Sequence, residues 1–190
     1  AGIAMIMVDR EGRNYETFDP AATLLLTDRD IYDNEDVFTK SDLFLLTMEF
    51  HRETTYAAIK TAKKNGMTVV LDPLPVDGAT IPSEIPPLVD IIKPNETEAA
   101  ALTGIKITDL DSAKQAVFKL RELGFRIPVV TLGSNGILTY IDGDFVHIPP
   151  CKVNAVDSTA AGDVFLGAFA ASLSQGNAIV DAIRFANVAA

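Results

Sequence analysis

Asp163 closes the run Asp157-Ser158-Thr159-Ala160-Ala161-Gly162-Asp163, and an apolar segment from Val164 to Leu173 follows at once. The small residues at 160–162 let backbone N–H groups approach a ligand closely. If a helix starts here, those donors have no partner inside the helix and carry the positive end of its dipole. Such a turn is an anion hole suited to phosphate, and it favours Asp163 as a carboxylate. A carboxylate beside an anion hole can take a hydroxyl proton while the hole holds developing negative charge. The plainer reading is an Asp near the start of a helix that stabilises it, and spacing alone favours that reading. The small residues and the apolar helix behind them bring the chemical reading level with it.

Three further strand ends could join this chemistry, since open α/β sheets bind ligands outside the carboxyl ends of their strands. Asn95-Glu96-Thr97-Glu98 follows an apolar run. It reads as a capping box, Asn at the N-cap with Glu three residues on. It also reads as a pair, Asn95 and Glu98, that organises a hydrated Mg²⁺, an ion that keeps several waters and takes few protein ligands. Thr131-Leu132-Gly133-Ser134-Asn135-Gly136 contains Asn-Gly between two extended runs, a hairpin signal, or else a loop whose backbone skirts a nucleotide. In both places the structural reading is favoured when the motif is taken alone. Glu49 follows the apolar run 41–48 and is a purposeful acid or a solvated strand end in equal measure. His51 and His147 are isolated and read as surface residues, and Cys151 reads as inert because Lys152 is its one basic neighbour. Neither a Gly-x-x-x-x-Gly-Lys-Ser/Thr loop nor Gly-x-Gly-x-x-Gly occurs, which excludes the ordinary P-loop and dinucleotide readings.

The elements that must hold these residues follow from periodicity. Residues 1–9 and 14–20 flank the polar turn Arg10-Glu11-Gly12-Arg13 and read as a hairpin. Strands are expected at 41–50, 67–75, 88–95, 127–133 and 136–142, and helices at 52–66, 96–104, 112–124, 161–176 and 178–190. In 52–66, Tyr56, Ile59 and Lys63 share a face; in 112–124, Ala113, Ala116, Val117, Leu120 and Leu123 do. The strands are continuous apolar runs alternating with helices, as in a parallel-rich sheet covered on both faces.

Composition sets the outer bounds. The 190 residues are 48% hydrophobic, enough for a full core in one sizeable domain. Formal net charge is −10 and the basic residues are scattered, so no nucleic-acid or membrane-surface footprint is present. A single cysteine forbids an internal disulfide and fits a reducing compartment. No apolar run approaches the ~20 residues of a spanning helix. The chain opens on a strand-like run and stops in a helical one, which reads as an interior segment of a longer protein.

The segments KPNETEA (93–99), VVTLGSNG (129–136) and AVDSTAAGDVFLGAF (155–169), in this order and spacing, resemble the ribokinase-like carbohydrate kinase family. The Ala-Ala-Gly-Asp form, KPNETEAAALTGI and AIRFAN are similar to its ribokinase branch. The resemblance runs along the whole chain. It implies a ribokinase-like three-layer α/β sandwich with a mostly parallel central sheet. It also implies a partial β lid over residues 1–19 and a nucleotide-binding core over 20–190. The implied reaction is phosphoryl transfer from Mg·ATP to a primary hydroxyl of a pentose such as ribose. A kinase for fructose or a nucleoside, or a non-catalytic nucleotide-binding fragment, is the alternative.

By the same resemblance, Asp163 matches the catalytic base and a contact to the sugar, and Ala161 and Gly162 match the anion hole. Asn95 and Glu98 match the pair that helps place Mg²⁺ and phosphates, Glu98 acting through water. Thr131, Gly133, Ser134 and Gly136 match the nucleotide loop, and Asn187 lines the adenine pocket. Asp157 and the backbone of Thr159 match part of a monovalent-cation site, which K⁺ would fill. Glu49 matches an acid near the sugar. The family further implies a cytoplasmic enzyme and a homodimer through the lid, with no nucleic-acid or membrane partner. Two departures stand out. Pro20-Ala21-Ala22-Thr23 replaces a Gly-Ala-Asn that can contact the sugar, and Asp72-Pro73 replaces the Asn-Pro usual in ribokinases.

Overall fold

The computed structural model describes residues 2–9, 14–49, 51–73, 81–153 and 159–190. They divide into two compact units, one of residues 1–27 with 151–190 and one of residues 28–150. In the first unit, β1 (Ile3–Val8) and β2 (Asn14–Asp19) form the expected antiparallel hairpin, with Ile3 opposite Asp19 and Val8 opposite Asn14. Every residue of β1 is exposed, on both faces of the ribbon. A 3₁₀ turn, Ala21–Leu25, follows.

The second unit holds the sheet. It begins with two short acid-rich helices, α1 (Asp28–Asp33) and α2 (Glu35–Phe38), which periodicity had not marked. Then come β3 (Leu43–Thr47), α3 (Arg52–Lys64), β4 (Thr68–Asp72), β5 (Ile91–Ile92), α4 (Glu96–Thr103), α5 (Leu110–Glu122), β6 (Ile127–Thr131), β7 (Ile137–Ile141) and β8 (Asp144–Ile148). The sheet order is β3-β4-β5-β6-β7-β8. The first four strands are parallel, and β7 and β8 extend the sheet antiparallel. The result is a mixed six-stranded sheet flanked by helices.

Burial explains the parallel half. Val69, Val70, Leu71, Ile91, Ile92, Val129 and Val130 are each at most 2% exposed, so successive residues are covered on opposite faces. The run 88–95 forms far less strand than expected. Residues 86–88 make a 3₁₀ turn, the strand proper is only Ile91–Ile92 with an isolated bridge at Asn95, and Pro94 between them has no N–H to give. In α5, Ala113, Ala116, Val117 and Leu120 are fully buried as expected, but Leu123 is 39% exposed. Leu123 lies past the last turn, where Gly124 at φ +108° reverses the chain. The Phe125 N–H then donates to the Leu120 carbonyl, a Schellman ending. In α3, Ile59 is fully buried and Tyr56 half-buried. Lys63 reaches instead to Asp90 at 2.7 Å, whose Oδ2 also accepts the Val69 N–H.

After residue 150 the chain returns to the first unit. α6 (Ala161–Ser174) and α7 (Ile179–Ala189) pack on one another there. Phe165, Leu166, Phe169, Ala182, Ile183 and Ala186 are buried, and the rings of Phe165 and Phe169 stack with centroids 6.0 Å apart. No helix among the described residues is long and apolar enough to cross a membrane.

Candidate active site

The sheet unit gathers most of the motif residues at the carboxyl ends of its strands. Asn95 is the N-cap of α4, and its Oδ1 accepts the Glu98 N–H at 2.9 Å. The Glu98 carboxylate reaches back to the Asn95 backbone N–H at 2.9 Å and to Asn95 Nδ2 at 2.8 Å. The capping box is therefore real and complete. It also fixes a carboxylate that is only 7% exposed at a strand end. Burial lifts the Glu98 carboxyl above its ordinary value; the Asn95 N–H opposes this, Asp72 adds to the rise, and Lys93 pulls it down.

Thr131 ends β6 beside this turn. Its N–H donates to the Pro94 carbonyl at 3.0 Å, and it forms a parallel bridge with Asn95. Gly133, Ser134 and Asn135 make a single 3₁₀ turn into β7. Gly133 takes φ +49°, and a Cβ there would lie 4.0 Å from Glu96 Oε2, so this loop and the start of α4 are neighbours. Gly136 has a structural demand of its own. It sits at φ +85°, and a Cβ would strike the Ile148 carbonyl and come within 2.9 Å of the Pro149 and Pro150 backbone. Asn135 is held too, its carbonyl accepting His147 Nε2 at 2.8 Å. His147 is thus at the surface, as expected, yet engaged with the loop. Glu49 stands just past β3 and is exposed.

The sequence reading noted Asp72 only as a departure and gave Lys93 no role. They form an ion pair of 2.9 Å between the ends of β4 and β5, with side chains 13% and 6% exposed. Each follows an apolar strand, but their pairing depends on cross-strand register, which periodicity does not reveal.

The helix unit carries the remaining motif. Ala161, Gly162 and Asp163 are the first three residues of α6, and the N-cap is Ala160 at φ 60°, ψ 11°. The Ala160 carbonyl accepts the Val164 N–H at 2.9 Å, so regular helix bonding begins there. The N–H groups of 161–163 precede that first bond and have no acceptor within the helix. Asp163 is exposed, while Phe165, Leu166 and Phe169 of the same helix are buried. Asn187 is half-buried on α7, one residue from buried Ala186. Thr159 lies just before the turn, while Asp157 lies outside the described residues, so the geometry of that proposed cation pair is not defined.

The donors suit a loosely held Mg²⁺. Among the described residues no group of three His, Cys, Asp or Glu side chains forms a metal cage. Both Glu98 oxygens already accept N–H groups from Asn95, and Asp72 is tied to Lys93. The Glu98 carboxylate is a hard oxygen donor of the kind Mg²⁺ takes, buried at a strand end.

The chain belongs to the pfkB family: the model of pfkB family carbohydrate kinases matches residues 1–190. Its relatives narrow the branch. It is 38% identical over 190 residues to a ribokinase of Staphylococcus aureus, covering 99% of this chain and 62% of that one. It is 34% identical over 170 residues to a deoxyribokinase of Salmonella typhi, covering 90% of this chain and 55% of that one. The ribokinase of Arabidopsis thaliana, solved with ribose and ATP, superposes with a TM-score of 0.83 at 30% identity, over 98% of this chain and 60% of that one. The chain thus spans about 62% of the length of the first of these ribokinases.

Proposed function

We propose that this chain works in an ATP-dependent kinase for a pentose, with the phosphoryl group passing from Mg·ATP to a primary hydroxyl of ribose. The observation that carries the reading is Asp163, solvent-accessible as the third residue of α6, directly behind a turn of small residues. In this reading the Asp163 carboxylate takes the proton of the sugar hydroxyl as that oxygen attacks the γ-phosphorus. The bond from phosphorus to the bridging oxygen breaks and ADP leaves. The free N–H groups of Ala161, Gly162 and Asp163 stabilise charge on the transferring group, the main task of protein groups in phosphoryl transfer. Asn95 and Glu98 orient the Mg²⁺ and phosphates; when bound, Mg²⁺ offsets the negative charge of the phosphates. Thr131, Gly133, Ser134 and Gly136 pass the nucleotide, Asn187 lines the adenine pocket, and Glu49 contacts the sugar. Asp157 and Thr159 contribute to a K⁺ site.

Ribose is supported by the ribokinase relatives and by the ribose and ATP of the Arabidopsis structure. A 2-deoxypentose is the second reading, supported by the deoxyribokinase relative. The hairpin β1–β2 serves as a lid and as the contact of a homodimer. Its exposed Ile3, Met5, Met7 and Phe18 offer apolar surface for both roles. The cytoplasm, where ATP is plentiful and a lone thiol stays reduced, is the proposed setting.

Asp163→Asn tests the assignment. With ribose and Mg·ATP the variant should lose a factor of about 10²–10⁴ in kcat, the range for removing a general base. ATP affinity by calorimetry should stay within about threefold, because the amide keeps the turn's shape. Near-normal turnover in the variant would refute Asp163 as the base.

A further inference from the structure

Asp72 and Lys93 are buried, at 9% and 4% exposure, and bonded at 2.9 Å. A buried ion pair is a poor stabilising device, because desolvating two charges offsets most of their attraction and an apolar pair of similar volume packs as well. Its presence calls for a use beyond stability. Its place suggests one. β4 and β5 pair with Val70 opposite Ile91 and Leu71 opposite Ile92, so the register brings Asp72 and Lys93 side by side at the carboxyl ends of these strands. Lys93 is followed by Pro94, whose carbonyl is tied to Thr131, and then by Asn95. The pair on one side and the Thr131 bond on the other thus hold the short segment that delivers Asn95 and Glu98. The three charges are also close enough to act on one another. Lys93 favours the Glu98 carboxylate, and Asp72 disfavours it.

Resting on the sugar-kinase reading above, we propose that Asp72 and Lys93 are a positioning pair for the phosphate-handling turn, required for Mg·ATP and not for the sugar. The salt bridge sets where the strand end stops and therefore where the Asn95–Glu98 unit sits.

The test is made on the whole protein with Asp72→Asn, Lys93→Met and the double variant. Readouts are thermal stability, calorimetric affinity for Mg·ATP, and KM for both substrates. Lys93→Met should weaken Mg·ATP binding about tenfold or more, with sugar KM within about twofold, as expected when one partner of a buried pair is removed near a charged site. Asp72→Asn keeps an acceptor for Lys93 and should stay within about threefold for Mg·ATP. The double variant decides between positioning and mere packing, and it serves even if Lys93→Met fails to fold. Its two buried charges are gone together, so its melting temperature should recover towards wild type. Its Mg·ATP affinity should stay about fivefold weak, because the tie to the turn is lost. Wild-type Mg·ATP affinity in the double variant, or equal losses for both substrates, would overturn the inference while leaving the kinase reading intact. A wild-type protein that binds no Mg·ATP would overturn both.

Discussion

Gly136 and Ala160 both take left-handed backbone at a site turn, and the chain meets the demand differently in each. At 136 the backbone needs glycine twice over, for its φ of +85° and because the Ile148 carbonyl occupies the space of a Cβ. Gly136→Ala should therefore cost about 3 kcal/mol or more, from strain and from displaced backbone. Denaturant titration checks this, and a loss under about 1 kcal/mol would show that the 133–136 turn can shift without consequence. At 160 an alanine accepts the strain, at about 1–2 kcal/mol. What was legible at this scale followed local chemistry. Asn95, Glu98 and Asp163 stand out because capping and anion binding are encoded in neighbouring residues. The Asp72–Lys93 pair was not legible, since those residues are 21 apart and meet only through strand register. For Gly136 the sequence offered a hairpin signal or a nucleotide loop, but not the crowding against the Ile148 carbonyl and the Pro149–Pro150 backbone, which depends on how β8 ends.

Elements with strong periodicity were readable, and short ones were not. α3 and α5 have 13 residues each and fall within two residues of the expected ends. α1 and α2 have six and four residues, too few for a face to repeat. β8 was missed although a signal was present. Asp142 and Gly143 form a two-residue loop with φ +53° and +96°, the backbone of a type I′ hairpin, for which Asp-Gly is a strong cue. α5 supplies a test of pH dependence. Asp109 caps it, and the Ser112 N–H and hydroxyl hold the Asp109 carboxyl below its ordinary value. A carboxyl lowered by folding lends stability above its unfolded value, and that stability is lost as pH falls through the lower folded value. Asp109→Asn keeps a good cap but cannot titrate. Melting temperatures of the two proteins should lie close together at pH 7. Below about pH 4 the wild type should fall more steeply. Parallel curves from pH 7 to 2 would show that the cap charge plays no part in acid sensitivity.

At the scale of the molecule, stability is distributed unevenly. The apolar core of residues 28–150 runs from Phe38 through β4, β5, α5 and β6 to Leu138. The hairpin β1–β2 is a two-stranded ribbon with β1 exposed on both faces, and such ribbons have little stability of their own. Hydrogen exchange followed by mass spectrometry should find amides of β4 and β6 slowest and those of 3–8 and 14–19 faster by orders of magnitude. If the hairpin is a lid, ribose with a non-hydrolysable ATP analogue should slow its exchange selectively. Unchanged hairpin exchange on saturation would remove the lid role. The layout of the sheet was legible because parallel strands buried on both faces read as unbroken apolar runs. The antiparallel extension was half legible, since β8 alternates exposed and covered residues and lacks such a run.

The complete capping box of Asn95 and Glu98 bears on how descendants of this chain would decay. Those two side chains start a helix whether or not a nucleotide ever arrives. Selection for folding alone would preserve them, so a descendant that had lost its chemistry would still display the motif. Asp163 has no such second employment in the N-cap hydrogen bonding of its helix, where Ala160 makes no side-chain bond. Drift at position 163 would be the earlier mark of an enzyme turned scaffold, and surviving Asn95 and Glu98 would be its relic.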